Sequence, residues 1–320
     1  MAGAGRVTPF EIGEHRVEPG TTARLEIPVM RLVTQGEISI PVVVVHGERP
    51  GPRLWLSAAL HGDELNGTEI IRRVLARVRP SRLAGTLVAV PVVNVLGFVT
   101  QSRYLPDRRD LNRSFPGSAR GSLASRMAHL FLTEVVDRCT HGIDLHTGSH
   151  HRENLPQVRG DLDNPDVRRC ALAFGAPLMI HGTVIPGTLR DAAGKRGIPA
   201  IVYEAGEPMR FNQKAIALGE QGVLRVIQEL GMLPAPRRHR MASVEVRRTK
   251  WVRAHRSGIV ELRAGLGDRV RKGQLLGVVR DSFGETVGDV KATHAGLVIG
   301  ISNNPLLHRG EAVVHLAVKR

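Results

Sequence analysis

Aromatic residues are scarce in this chain. They make up 3% of 320 residues: two tryptophans, two tyrosines and seven phenylalanines. So few flat side chains leave no stacking platform for nucleic acid, and no nucleic-acid module stands out. The core must be built from Val, Leu, Ile and Ala. Cysteine is scarcer still. Cys139 and Cys170 stand alone, so neither a disulfide framework nor a CxxC site follows from them. Long apolar runs are missing too. The longest, "LVAVPVV" at 87–93, suits a buried strand and falls far short of the ~18 residues of a membrane span. The first residues, "MAGAGRVTPFEIGEH", lack the apolar core of a signal peptide. A cytoplasmic protein with no membrane and no nucleic-acid partner is the expectation. Acidic residues are outnumbered, 30 Asp and Glu against 45 Lys and Arg, for a net charge of +15. The excess is arginine spread along the whole chain, which reads as a compositional habit. The next reading is an anionic substrate drawn in by the field.

Hydrophobic content of 42% and charged content of 23% are ordinary for a globular protein, and the length suggests two domains. Residues 20–48 read as extended β segments, and "ERPGPR" at 48–53 as a turn. Strand-like and helix-like stretches then alternate as far as "NQKAIALGEQGVLRVIQELG". The expected fold is α/β: a mixed, largely parallel sheet flanked by helices on both faces. "PAPRRHR" at 234–240 marks a break. Beyond Trp251, short strands and glycine turns replace helices, and the chain repeats itself. Residues 257–279 resemble 295–317, with Gly258 matching Gly296 and Gly273 matching Gly310. Two such halves make a small β barrel-sandwich. The expected division is a catalytic domain at 1–236 (with 1–50 a mainly β lead-in), a linker at 237–250, and a β domain at 251–320. That β domain is similar to biotinyl and lipoyl carrier domains. The Met-Lys-Met type of attachment motif is absent from "RDSFGETVGDVKATHAG", and Lys291 has the wrong neighbours. A structural or assembly role is expected for it.

Three polar residues share one structural address. His61 follows the strand "RLWLSAAL", His146 ends "GIDL", and Glu204 ends "GIPAIVY". In open α/β sheets ligands sit beyond the carboxyl ends of the strands. His61, Glu64 and His146 supply a His2Glu set of the kind that holds catalytic zinc with one position left open. The short spacing lets His61 and Glu64 meet one ion from the same turn, with Gly62 permitting the bend. His141, His150 and His151 are rival ligands. Asp144 shares a strand face with His146, and is either a partner behind that ligand or only a strand acid. Asp63 reads as an acid complementing a helix N-terminus. Arg108 and Arg109 either widen a positive funnel or sit in water.

"HGDE", "RDLNRSFPG", "DLHTG" and "YEAGE", in this order, resemble the succinylglutamate desuccinylase/aspartoacylase family, a deacylase branch of the zinc carboxypeptidase-like fold. The resemblance spans roughly residues 20–233, and reaches the C-terminus with the β tail. It looks closest to a bacterial group of predicted deacylases, some of which remove an N-acetyl group from diaminobutyrate. It implies one Zn2+ per chain on His61, Glu64 and His146, with Glu204 as general base. It implies Arg103 as the group polarising the scissile carbonyl, although Arg103 stands two residues further from the Asn-Arg pair than in aspartoacylase itself. Asn112 and Arg113 would hold a substrate carboxylate. The substrate would be an N-acyl amino acid or related amide. The alternative is a metallocarboxypeptidase acting on peptides. The short interval between positions 64 and 146 argues against it. The pocket lining is placed on loops, with "HHRENLPQVRGDLDNP" at 150–165 the main candidate; acyl group and oligomeric state stay open.

Overall fold

A computed structural model describes residues 7–182, 184–234 and 242–318. The chain opens with a hairpin, β1 (Phe10–Ile12) and β2 (His15–Val17), then two long antiparallel strands, β3 (Thr21–Arg31) and β4 (Glu37–His46). An α/β run follows. Its elements are β5 (Arg49–Ala58), α1 (Asn66–Arg77), β6 (Ala84–Val90), α2 (Val95–Val99), α3 (Leu123–Glu134) and β7 (His141–His146). It continues with β8 (Arg152–Gly160), α4 (Pro165–Phe174), β9 (Leu178–His181), α5 (Leu189–Lys195), β10 (Ala200–Gly206) and α6 (Gln213–Glu229). The rest is strand and turn: β11 (Val244–Val246), β12 (Thr249–Arg253), β13 (Gly258–Leu262), β14 (Arg269–Val270) and β15 (Leu275–Arg280). β16 (Thr286–Lys291), β17 (Gly296–Ser302), β18 (Leu306–Leu307) and β19 (Ala312–Val318) complete it.

Among the described residues, one sheet runs in the order β12-β19-β17-β8-β10-β7-β5-β6-β4-β3, with β9, β11 and β14 attached beside it. The expected mixed sheet is present. Its parallel centre is β10-β7-β5-β6, bordered by antiparallel β4 and β8. Helices cover both faces, because the strands alternate. Ile143 and Leu145 of β7 join Leu56, Ile201 and Tyr203 on one face, against Ile70 and Ile71 of α1, Phe174 of α4 and Val223 of α6. Trp55 and Val88 point the other way, to Phe131 of α3 and Leu189 of α5. α1 forms because Ile70, Ile71 and Val74 fall on one side of a 3.6-residue period and bury fully, each adding roughly 1.5–3 kcal/mol. It stops where Val78 turns extended before Pro80.

The C-terminal repeat is real in three dimensions, and its halves are crossed. β13 pairs with β15 in the first half, and β17 with β19 in the second. The short strand β14 of the first half pairs with β17, and β18 of the second pairs with β13. Gly273 and Gly310 both take a left-handed φ in matching turns. Among the described residues, no helix is long and apolar enough to cross a membrane.

Three local expectations are corrected. The "turn" at 48–53 is mostly the start of β5, drawn into the sheet by pairing of Arg49 with Ala84 and Arg53 with Thr86 around a bulge. Part of the expected linker at 237–250 is strand. β11 pairs with β9, and β12 begins at Thr249 against β19; residues 235–241 lie outside the described set. The segment 150–165, expected on loops, forms β8, held between β10 and β17.

Candidate metal centre

The site gathers where β5 and β7 end. β5 stops at Ala58, and Ala59 adopts φ +47°, a left-handed conformation uncommon for alanine. This bend turns the next residues, His61 to Glu64, back over the strand ends. The role given to Gly62 is corrected: its φ is not left-handed. It must be glycine because a Cβ there would sit 1.9 Å from the carbonyl carbon of Gly97, on α2. Alternation in β7 then decides the rest. Ile143 and Leu145 face the core, so Asp144 and His146 face the site.

His61, Glu64 and His146 are all buried, and their ligand-type atoms lie within 4.8 Å of one another. Glu64 stands between the two rings. Its Oε1 is 2.7 Å from His61 Nδ1, and its Oε2 is 2.7 Å from His146 Nδ1. The backbone N–H of Thr147 donates to Oε2 at 3.1 Å. The outer nitrogens are anchored as well. His61 Nε2 lies 3.2 Å from Asp110 Oδ1, and His146 Nε2 lies 2.7 Å from Asp144 Oδ2. Ser57 Oγ donates to Asp144 Oδ1 at 2.7 Å, which fixes that carboxylate in turn. Asp144 is therefore a partner behind His146.

Burial opposes charge on the two imidazoles, but the surrounding carboxylates outweigh it. Glu64 and Asp110 raise the His61 pKa, and Asp144 and Glu64 raise that of His146 well above the ordinary value. Conversely, His61 and His146 hold Glu64 below the usual carboxylate range despite its full burial. His61 and Arg103 do the same for Asp110. Glu64, Asp110 and Asp144 bring three negative charges against one from Arg103, leaving two negative charges when both rings are neutral. A divalent cation held by His61, Glu64 and His146 would balance that sum. Two nitrogens and a carboxylate, with the outer ring nitrogens on carboxylates, suit zinc. The residues fit the metal.

Arg103 lies at this cluster. Its Nη1 donates to Glu64 Oε1 at 3.2 Å and its Nη2 to Asp110 Oδ2 at 2.9 Å. Glu204 lies inside β10, not at its end, directly opposite His146 in the β10–β7 ladder. Its Oε2 accepts from Asn154 Nδ2 at 2.8 Å and is 3.2 Å from Arg159 Nε. Asn112 and Arg113 stand apart from the triad. Asn112 Oδ1 caps the start of α5 by accepting from Leu189 N–H, and the exposed Arg113 donates to the Asn112 carbonyl.

The rival histidines are elsewhere. His141 begins β7 and contacts Thr140 Oγ1, His150 meets the edge of Tyr104, and His151 is exposed. Asp63 is buried and does not cap α1, whose N-cap position is Leu65. Asp110, Ser57 and Asn154 were missed by sequence reasoning. Asp110 carried a signal, since it lies inside "RDLNRSFPG" and caps the short 3-10 turn Leu111–Arg113 through Asn112 N–H. Ser57 and Asn154 carried none.

Residues 50–230 match the succinylglutamate desuccinylase/aspartoacylase catalytic domain. The N-alpha-acetyl-L-2,4-diaminobutyric acid deacetylase of Halomonas elongata is 29% identical over 269 residues, covering 80% of this chain and 78% of that protein. The product-bound ectoine utilization protein EutE (DoeB) of Ruegeria pomeroyi superposes with a TM-score of 0.86 at 25% identity, over 93% of this chain and 95% of that one. A succinylglutamate desuccinylase/aspartoacylase from Rhodobacter sphaeroides superposes with a TM-score of 0.82 at 27% identity, over 94% and 96%.

Proposed function

The chain belongs to the succinylglutamate desuccinylase/aspartoacylase family, and from this we propose that it is a zinc-dependent deacylase of N-acyl amino acids. Its substrate class follows the Halomonas elongata relative, named for an N-acetylated diamino acid. One zinc ion is assigned to His61, Glu64 and His146. The observation that carries the reading is the buried His2Glu set, whose neighbouring carboxylates leave two negative charges for a cation to balance when both rings are neutral.

Bound zinc supplies Lewis acidity, which lowers the pKa of a water to about 7 and polarises a carbonyl. The protein's own groups do the rest. Asp110 and Asp144 hold the imidazoles in the tautomer that turns Nδ1 inward. Glu204, opposite His146, takes a proton from the attacking water and delivers it to the amide nitrogen as the C–N bond breaks. One water is consumed, and a carboxylic acid and an amine leave. Arg103, already oriented by Glu64 and Asp110, stabilises charge developing on the carbonyl oxygen. Asn112 and Arg113 would contact a substrate carboxylate. The metallocarboxypeptidase reading is not favoured, since the matched family and relatives are named for deacylation.

The test is Glu204→Gln. It should keep one equivalent of zinc by elemental analysis and lose on the order of 100-fold or more in kcat on N-acetyl amino acids. Wild-type turnover in that variant would remove Glu204 from the role of base. A His61→Ala protein that retains a full equivalent of tightly bound zinc would remove the metal assignment.

A further inference from the structure

The ladder between β8 and β10 slips by one residue beside Glu204. Glu204 is opposite Gln157, yet Gly206, two residues on, is opposite Asn154, three residues back. β8 therefore carries one extra residue across this step, a β-bulge that holds Leu155 and Pro156. Proline suits the place, because it has no N–H to give the ladder. The bulge has a consequence for side-chain direction. In a regular ladder Leu155 would stand opposite Gly206, and Asn154 would point away from Glu204. The extra residue shifts the alternation by one and brings Asn154 to the side of Glu204.

Asn154 is buried there, and its Nδ2 donates to Glu204 Oε2 at 2.8 Å. A carboxylate only accepts, so the amide nitrogen is the atom that faces it. The other end of the amide is confined by backbone. Gly300 of β17 stands opposite Asn154, and a Cβ on Gly300 would lie 3.0 Å from Asn154 Oδ1. Arg159 Nε is 3.2 Å from the same Oε2 but is not aligned to donate to it. The neutral amide, not the guanidinium, therefore sets the direction of the carboxylate. Among the described residues no hydrogen-bond partner meets Oε1, and the Glu204 side chain keeps 22% of its surface open.

We propose that Asn154 is the positioning residue of the base: it ties down Oε2 of Glu204, and Oε1 is the atom that exchanges the proton. A water O–H bond breaks as Oε1–H forms. Oε1–H then breaks as the amide nitrogen gains its proton, and Glu204 ends ionised as it began. The last torsion of a glutamate is broad and two-fold, so a carboxylate held by nothing turns either oxygen to the site. Anchoring one oxygen removes that freedom, and the gain falls on turnover rather than on binding. The proposal rests on the deacylase reading, in which Glu204 is the base.

The test uses the zinc-loaded full chain and N-alpha-acetyl-L-2,4-diaminobutyrate, with release of free amine as readout. Asn154→Ala should lose roughly 10- to 100-fold in kcat, with KM little changed and one equivalent of zinc retained. Added to Glu204→Gln, the same substitution should cost almost nothing, since groups that act as a unit are not additive. Wild-type kcat in Asn154→Ala overturns the proposal. So does a rise in KM at unchanged kcat, which would make Asn154 a substrate contact. An equal cost in both backgrounds overturns it too, because Asn154 would then act without Glu204. If Asn154→Ala does not fold by circular dichroism, Asn154→Asp carries the same comparison; it keeps the shape and, when ionised, has no donor. Wild-type protein that does not hydrolyse the substrate, or Glu204→Gln that turns over as wild type, removes the reading of Glu204 as base. Crystal structures then decide the positioning on their own. The Glu204 carboxylate should hold one orientation in wild type and more than one in Asn154→Ala, and a single unchanged orientation in the variant overturns the proposal.

Discussion

Asp110→Asn tests the metal centre at its least obvious member. Oδ1 of Asp110 faces His61 Nε2 and the Asn112 N–H, at 3.2 and 2.8 Å, and an asparagine oxygen can keep both contacts. Oδ2 faces Arg103 Nη2 at 2.9 Å, and there the substitution places an amide donor against a guanidinium donor. One charge-assisted hydrogen bond is lost, worth about 1.5–3 kcal/mol. One negative charge also leaves a cluster that has two to offer a cation. Partners behind metal ligands typically change affinity 10- to 100-fold, or about 1.4–2.7 kcal/mol, so the two estimates agree. Competition for zinc against a chromophoric chelator measures this without any turnover. The expected dissociation constant is 10 to 100 times that of wild type. Ser57→Ala removes one hydroxyl-to-carboxylate hydrogen bond at Asp144 and no charge from the cluster, so its effect on zinc affinity should be smaller, about tenfold or less. An Asp110→Asn protein that binds zinc within twofold of wild type would show that Asp110 does not support His61, and the charge balance drawn around it would fail.

Gly62→Ala drives a methyl group into the backbone of Gly97, so the unfolding midpoint in urea should fall by the equivalent of at least about 2 kcal/mol; an unchanged midpoint refutes the close approach. His315 gives a pH effect with a definite sign. Its folded pKa is depressed to about 3, so between roughly pH 6.5 and 3 the unfolded chain takes up a proton that the folded chain does not. Stability from this residue is full above that window and falls, by up to about 1.4 kcal/mol per pH unit, as pH drops through it. Unfolding curves of wild type and His315→Gln should therefore draw together, and then cross in favour of the variant, as pH is lowered; parallel pH profiles would contradict it.

The proposed ligand set was legible because its residue types are rare together at strand ends. His61, Glu64 and His146 stood out against apolar strands whose own patterns were plain. What stood behind them was not legible. Asp110 reaches His61 across 49 residues of sequence, and Ser57 looked like one more small strand residue. β8 was hidden for a different reason. "RENLPQVRG" has weak alternation, and it becomes a strand because β10 and β17 pair with its two edges. The same long-range pairing overrode the proline and glycine of 48–53 and the arginines of 244–250. Gln157 shows the limit most clearly. A polar residue in a polar segment gives no sign that it will be sealed from water.

β17 is hydrogen-bonded to β8 on one side and to β19 on the other. Cutting the chain near residue 250 would therefore bare the β17-facing edge of β8, a row of unpaired N–H and C=O groups open to any other strand. Such a fragment would be sticky before it was inactive. Loss of activity on truncation would then report aggregation through that edge, and single substitutions in β19 are the cleaner way to ask what the tail contributes.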